Sequence, residues 1–246
     1  MLFGGMIMEN VDLVIEKIVS WMREIVKGAK AEGLVFGLSG GIDSAVVAGL
    51  AKLAFPETSL GIIMPCYSDP IDEKHGILVA RALDLQVKKV DLSRTFDVLF
   101  SSIDEENKNK MAKINLKPRL RMTTLHYFAQ NNNYLVAGST NKSEFVVGYF
   151  TKYGDSGVDL LPLASFVKSE IRELARRLNI PEIIIEKPPT AGLWSNQNDE
   201  EDLGFSYDTL DEYIRTGKGP KEIVERIEKM YKISEHKRVY PPIFEL

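Results

Sequence analysis

The chain has 246 residues but only one cysteine, Cys66, and three histidines, His75, His126 and His236, set far apart. A single thiol excludes a disulfide framework and every multi-cysteine metal site, and the histidines show no ligand spacing. Long apolar runs are also missing: none approaches the roughly 20 residues that a membrane helix needs. The opening MLFGGMIMEN is too short for a signal peptide, so a cytoplasmic setting without a membrane partner is expected. Excess positive charge is absent as well, the formal net charge being -4. Nucleic-acid binders usually carry a basic face, and the sole basic cluster, EHKR at 235–238, is modest, so no nucleic-acid partner is expected. There is no internal repeat.

What is present is an ordinary globular composition, 44% hydrophobic and 27% charged. Residues 11–26 place apolar groups at helical spacing. Strand and helix signals then alternate. LVFGLS reads as a buried strand followed by a helix from Asp43 to Phe55, and SLGIIMP as a second strand followed by the helix IDEKHGILVARALDL. QVKKVDL alternates as a third strand ahead of the helical SRTFDVLFSSI. A long helix is expected after Pro118, ending at the asparagines, and YLVAGST reads as a fourth strand. Repeated βα units with apolar strands predict an α/β fold, a doubly wound parallel sheet with helices on both faces, in one domain over 1–246. After Thr140 the texture changes. A polar loop covers 151–166, a helix over 165–180 is stopped by Pro181, and 187–204 has the composition of a mobile lid. Two short helices make up the tail.

The stretch Gly37-Leu38-Ser39-Gly40-Gly41-Ile42-Asp43-Ser44 concentrates small and polar residues between a strand and a helix. It fits G-x-S-x-G, in which Ser39 would be a nucleophile served by an acid and a histidine such as Asp159 and His236. That reading lacks an HGGG-type oxyanion segment and leaves the other residues idle. A phosphate cradle uses more of them: Gly40 and Gly41 admit close backbone approach, Ser39 and Ser44 add hydroxyls, and the helix N-terminus adds partial positive charge. Asp43 would repel phosphate unless a cation lies between, which is the position of a Mg²⁺ ligand. No lysine follows the glycines, so this is not a Walker A loop. A ligand-free tight turn would explain the glycines but neither Asp43 nor the paired serines.

Other positions carry local arguments. Ser165 is placed to cap the helix containing Lys168, and a lysine three residues beyond a cap opposes the helix dipole unless an anion is shared there. Ser165 to Lys168 also matches the S-x-x-K of penicillin-recognising enzymes, but no K-T-G accompanies it. Glu144 falls in the first turn of a helix at a strand's C-terminal edge, where doubly wound sheets bind ligands. Arg119 and Arg121, two apart on a helix, cannot share a face, so one is expected to meet ligand while the other is ordinary surface.

SGGIDS resembles the PP-loop of the ATP pyrophosphatases. Downstream, GSTNKSEFVVGYFTKYGDSGVDLLPL, KPPTAGLW and EHKR are similar to the ammonia-dependent NAD synthetases, and the resemblance runs from about residue 10 to residue 242. It implies ATP-dependent amidation of deamido-NAD by ammonia through an acyl-adenylate, with Mg²⁺ as cofactor and a homodimeric assembly. It implies that Gly37 through Ser44, with Ser139 or Thr140, Lys168 and Thr190, contact ATP, and that Asp43 and Glu144 hold Mg²⁺. It assigns Arg119, Lys152, Asp159, His236 and Lys237 to deamido-NAD. Asp155, in the K-Y-G-D turn, is a candidate for positioning or deprotonating ammonia. The family's usual Thr after the glycine at 138 is Ser139 here, followed by Thr140. Other PP-loop amidating or thiolating enzymes and a non-catalytic nucleotide-binding module are the rival readings. A thiolating enzyme would want a basic surface and catalytic cysteines. Use of glutamine would need a glutaminase thiol, so free or delivered ammonia is the expected donor.

Overall fold

The structure is a computed structural model that describes residues 10–190, 192 and 197–244. The opening residues 1–9 and part of the expected lid, 191 and 193–196, lie outside the described residues. Helix α1 (Val11–Gly28) begins where the Asn10 side chain accepts from the Leu13 N–H, and it buries Ile15, Ile18, Val19, Met22 and Val26 along one stripe. Strand β1 (Gly33–Gly37) follows, then α2 (Ile42–Ala54), β2 (Ser59–Ile63), α3 (Pro70–Ala82) and β3 (Gln86–Lys89). Next come α4 (Ser93–Ser101), α5 (Lys110–Ile114), α6 (Leu116–Asn132) and β4 (Tyr134–Val136). The C-terminal part is helical: α7 (Lys142–Val147), α8 (Lys168–Arg177), α9 (Glu182–Ile185), α10 (Asp199–Leu203), α11 (Tyr207–Thr216), α12 (Lys221–Ile233) and a 3₁₀ turn, Glu235–Lys237.

The strands pair in parallel in the order β3-β2-β1-β4. Alternation along β1 divides the core: Leu34 and Phe36 pack with α1, α2, α8 and α9, whereas Val35 faces the layer containing Phe96 and Leu125 of α4 and α6. Helices therefore cover both faces, as expected. Helix α2 is buried almost throughout because it lies between sheet and helices. Strand β3 is exposed along its length, and its lysines suit an edge strand. A separate cluster built on Leu203, Tyr207, Leu210, Ile214 and Ile227 joins the C-terminal helices to α7. No helix among the described residues is long and apolar enough to cross a membrane.

Several expected boundaries move. The third strand ends at Lys89 and the fourth at Val136, although Val90 still donates to the Ile63 carbonyl and Ala137 to that of Val35. Helix α6 starts at Leu116, with Pro118 inside its first turn, where a missing N–H costs little. Helix α8 starts at Lys168 with Val167 at the cap, so Ser165 is not the N-cap. The order reverses at β1, whose neighbours β2 and β4 continue in opposite directions. A crevice consequently opens beyond the C-terminal ends of β1 and β4.

Candidate active site

That crevice is a cavity of about 740 Å³ walled by the β1–α2 loop, the segment after β4, and parts of α6, α7 and the 187–204 segment. In the glycine loop, Gly40 has φ +78°, and a Cβ there would sit 2.3 Å from the Asp72 carbonyl oxygen. Only glycine fits both the dihedral and the approach of α3. The hydroxyls of Ser39 and Ser44 lie 3.0 Å apart, Ser44 Oγ accepts from the Ser39 N–H, and it donates to the Gly41 carbonyl at 2.9 Å. The Gly41 N–H donates to Ser39 Oγ at 3.3 Å. Among the described residues no histidine hydrogen-bonds to Ser39. The loop is thus arranged as a preformed concavity at the start of α2 rather than as a nucleophile with its base.

Beside the loop, residues remote in sequence converge. The Lys168 ammonium lies 2.5 Å from Asp43 Oδ2 and 3.4 Å from Glu144 Oε1. Asn141 completes the group: its Nδ2 donates to Asp43 Oδ1 at 2.9 Å, and its Oδ1 accepts from the Glu144 N–H at 3.0 Å. Glu144 in turn accepts from the Asn141 N–H, so the same glutamate closes a capping box on α7 and faces the cavity. Burial first, and the adjacent Asp43 second, push the Glu144 carboxyl up to about 8. Burial works against the Lys168 charge, but Asp43 and Glu144 outweigh it and raise its pKa. One lysine therefore faces two carboxyl groups, and the proton that burial and Asp43 keep on Glu144 would give way to a divalent cation bound between them. Among the described residues no group of three or more His, Cys, Asp or Glu is arranged to hold a metal. A hard cation here would take Asp43 and Glu144 and find its remaining oxygens on ligand phosphates and water, the habit of Mg²⁺.

The expected ATP contacts Gly37, Leu38, Ser39, Gly41, Ile42, Asp43, Ser44, Ser139, Thr140, Lys168 and Thr190 all line the cavity, and Gly40 supports it from behind. Asp155 lines it too; burial foremost raises its pKa, while the Thr151 N–H donates to its Oδ1 at 2.9 Å. The residues expected to meet deamido-NAD divide. Lys237 lines the cavity and donates to the carbonyls of Gly148 and Phe150. Arg119, Lys152 and His236 lie outside the cavity lining and form a neighbouring patch, in which Lys152 Nζ donates to the His236 carbonyl and Arg119 donates to the Lys152 carbonyl. Asp159 is tied to the sheet by accepting from the Val136 N–H at 2.7 Å.

The two arginines are resolved by burial. Arg121, not Arg119, lines the cavity, and it donates to the Met64 carbonyl and to Ser68 Oγ. Lys187 is a further cation absent from the sequence assignment; its Nζ reaches Asp72 Oδ1 at 2.6 Å and the Gly40 carbonyl at 3.5 Å. Tyr149, likewise missed, donates to Asp202 at 2.8 Å and ties α10 to the site. Asn141 had a readable signal, N-x-x-E, whereas Arg121, Lys187 and Tyr149 had none beyond lying near flagged motifs.

Known proteins resemble this chain over most of its length. The NAD synthase family model matches residues 14–241. The NH₃-dependent NAD⁺ synthetase of Carboxydothermus hydrogenoformans is 51% identical over 231 residues, covering 93% of this chain and 95% of that protein. Among solved structures, NMN synthetase from Francisella tularensis superimposes with a TM-score of 0.93 at 32% identity, covering 96% of this chain and 99% of the other. The NH₃-dependent NAD synthetase of Campylobacter jejuni gives 0.80 at 30% identity, with 96% and 99% coverage. A PP-loop, two carboxylates facing it and a lysine between them thus sit in a chain that the family model matches over residues 14–241: it belongs to the NAD synthase family.

Proposed function

We propose that the protein converts deamido-NAD to NAD, using ATP and ammonia and releasing AMP and pyrophosphate. The observation that carries this reading is the convergence of Lys168, Asp43 and Glu144 beside the glycine loop. A carboxylate is a poor electrophile, so its oxygen must first become a leaving group. The nicotinate carboxylate attacks the α-phosphorus of ATP, and the bond to the pyrophosphate oxygen breaks. The loop N–H groups and the Lys168 ammonium face the charge that grows on pyrophosphate. Mg²⁺ held by Asp43 and Glu144 would neutralise phosphate charge when bound. Ammonia then attacks the acyl carbon, AMP departs, and the extra proton passes to a nearby base. Asp155, in the cavity wall and held by the Thr151 N–H, is the candidate to orient the ammonia or take that proton. No side-chain nucleophile is needed, and positioning supplies much of the rate.

Water would hydrolyse the adenylate, so we also propose that 187–204 closes over the cavity. Its described parts support this: Lys187, Thr190, Gln197 and Asp199 contribute to the lining. Ammonia as donor fits Cys66, which is fully buried, lies outside the cavity lining and has its thiol pKa raised by burial. A thiolate nucleophile needs the opposite environment. Cytoplasmic location and a homodimer complete the reading.

The close superposition on an NMN synthetase favours a second reading, in which the acid is the mononucleotide. Pyrophosphate release with ATP, Mg²⁺ and ammonium, measured across deamido-NAD, nicotinate mononucleotide and unrelated acids, decides between them. The proposal expects the highest kcat/KM with deamido-NAD, no support from glutamine alone, and unchanged behaviour in Cys66→Ser. Preference for the mononucleotide would establish the second reading, and release with neither acid would refute both.

A further inference from the structure

Helix α8 begins without a capping side chain of its own. Val167 stands at the N-cap, and the only local help is Glu170, which accepts from the Val167 N–H at 2.8 Å. The first N–H groups of any helix lack intrahelical partners. Here they are met from elsewhere. The Ser169 N–H donates to Asp211 Oδ2 at 2.8 Å, and Ser169 Oγ donates to the same oxygen at 2.8 Å. The Lys168 N–H donates to Ser143 Oγ at 3.1 Å and more distantly, at 3.4 Å, to Asp211 Oδ1. Ser143 Oγ donates to Asp211 Oδ1 at 2.6 Å.

Asp211 is 2% exposed and belongs to α11, 43 residues beyond the lysine whose N–H it accepts. Four positions before it on the same helix face is Tyr207, whose ring lies 5.0 Å from the Lys168 ammonium. One face of α11 thus holds both ends of Lys168, its backbone through Asp211 and its ammonium against Tyr207. Through Ser143 the same carboxylate also reaches the residue preceding Glu144. Arg215, a turn further along α11, donates to Ser169 Oγ at 2.9 Å and pairs with Glu170 Oε1 at 3.3 Å.

We propose that Asp211 is a positioning residue for the reaction: it caps α8 from α11 and sets Lys168 and Glu144 in register with the glycine loop. The inference rests on the roles given to Lys168 and Glu144 above. A charged oxygen facing helix N–H groups is stabilised there, and its hydrogen bonds are stronger than those between neutral groups. The carboxylate also bridges two segments that the chain brings together only by folding. Rotation of α8 by a fraction of a turn would carry the Lys168 ammonium away from Asp43, and misplacement of about 1 Å is enough to cost roughly 100-fold in rate. The C-terminal helices are in this sense part of the catalytic framework although they contribute no reacting group.

The test uses the full-length protein with Asp211→Asn, which preserves size and one acceptor, and Ser143→Ala, which removes the bridge alone. Ile227→Val, a core change in the same helical cluster, serves as the comparison for loss of stability. Two quantities are read per folded molecule: kcat for pyrophosphate release, and the Mg²⁺ concentration that half-saturates ATP binding by calorimetry, which needs no acid substrate. Asp211→Asn is expected to lower kcat 10- to 100-fold and raise the Mg²⁺ requirement at least threefold. Ser143→Ala should move both in the same direction by a smaller factor, while Ile227→Val lowers Tm and leaves both within twofold of wild type. If Asp211→Asn matches Ile227→Val, the carboxylate is only a structural cap and the proposal is overturned. If Asp211→Asn does not fold, a normal Ser143→Ala overturns it and a shifted one supports it. If wild type binds ATP with Mg²⁺ but amidates no acid, the functional reading fails, and the Mg²⁺ requirement still judges Asp211.

Discussion

Glu144→Gln should make the ligand-free protein more stable at neutral pH while abolishing most of its activity. The Glu144 side chain is 16% exposed and lies beside Asp43, so its carboxyl is held up to about 8. In the unfolded chain the same group titrates near its ordinary value of about 4.3. A raised folded pKa means that the native state binds the extra proton. The associated stability is therefore complete below about pH 4 and is lost as pH rises through about 8. At pH 7 the unfolded chain gains by ionising while the folded one hardly does, a cost on the order of 3 kcal/mol at about 1.4 kcal/mol per pH unit. Glutamine cannot ionise in either state, so the variant escapes that cost. For a chain of this size the gain corresponds to a Tm increase of roughly 6–12 °C at pH 7, shrinking toward zero near pH 4.5. Turnover should fall on the order of 100-fold with loss of one cation ligand. Thermal unfolding at pH 4.5, 6 and 7.5, paired with pyrophosphate release, measures both. A Tm difference independent of pH would show that Glu144 titrates normally, and near-normal turnover would remove it from the cation site.

Lys187→Met should weaken ATP binding about tenfold and cost about 2 kcal/mol of stability, because the ammonium joins Asp72 to the Gly40 carbonyl behind the phosphate loop. Unchanged ATP half-saturation would show that this clasp does not shape the loop. Tyr149→Phe removes the donor to Asp202 at 2.8 Å, so limited proteolysis within 187–204 should be faster than in wild type without ligands. Equal cleavage rates would mean that the hydroxyl does not restrain the segment.

The βα alternation, the buried strands and the glycine loop were legible because each depends on neighbours in sequence. Period-two and period-3.6 patterns report which face is buried, and a strand followed by SGGIDS leaves few conformations for the turn. Asp43 stood out for the same reason, as a carboxylate among glycines and hydroxyls suited to a phosphate. Capping failed as a local argument at Lys168. Ser165 looked right by spacing, yet the acceptors come from Ser143 and Asp211, and the chain had no need of a local cap once those packed against it. Arg119 and Arg121 were equivalent in sequence; only the packing of α6 against the sheet turned Arg121 into the cavity. The pairing of Asp43 with Glu144 is a matter of strand order, since β4 lies beside β1 and delivers the segment after it to the same edge. Sequence by itself therefore determined the βα alternation, the glycine loop and the family's signature motifs. The tertiary structure decided which charges meet, because Asp43, Glu144, Lys168 and Asp211 lie on different elements and their distances and burial exist only after the chain has closed around them.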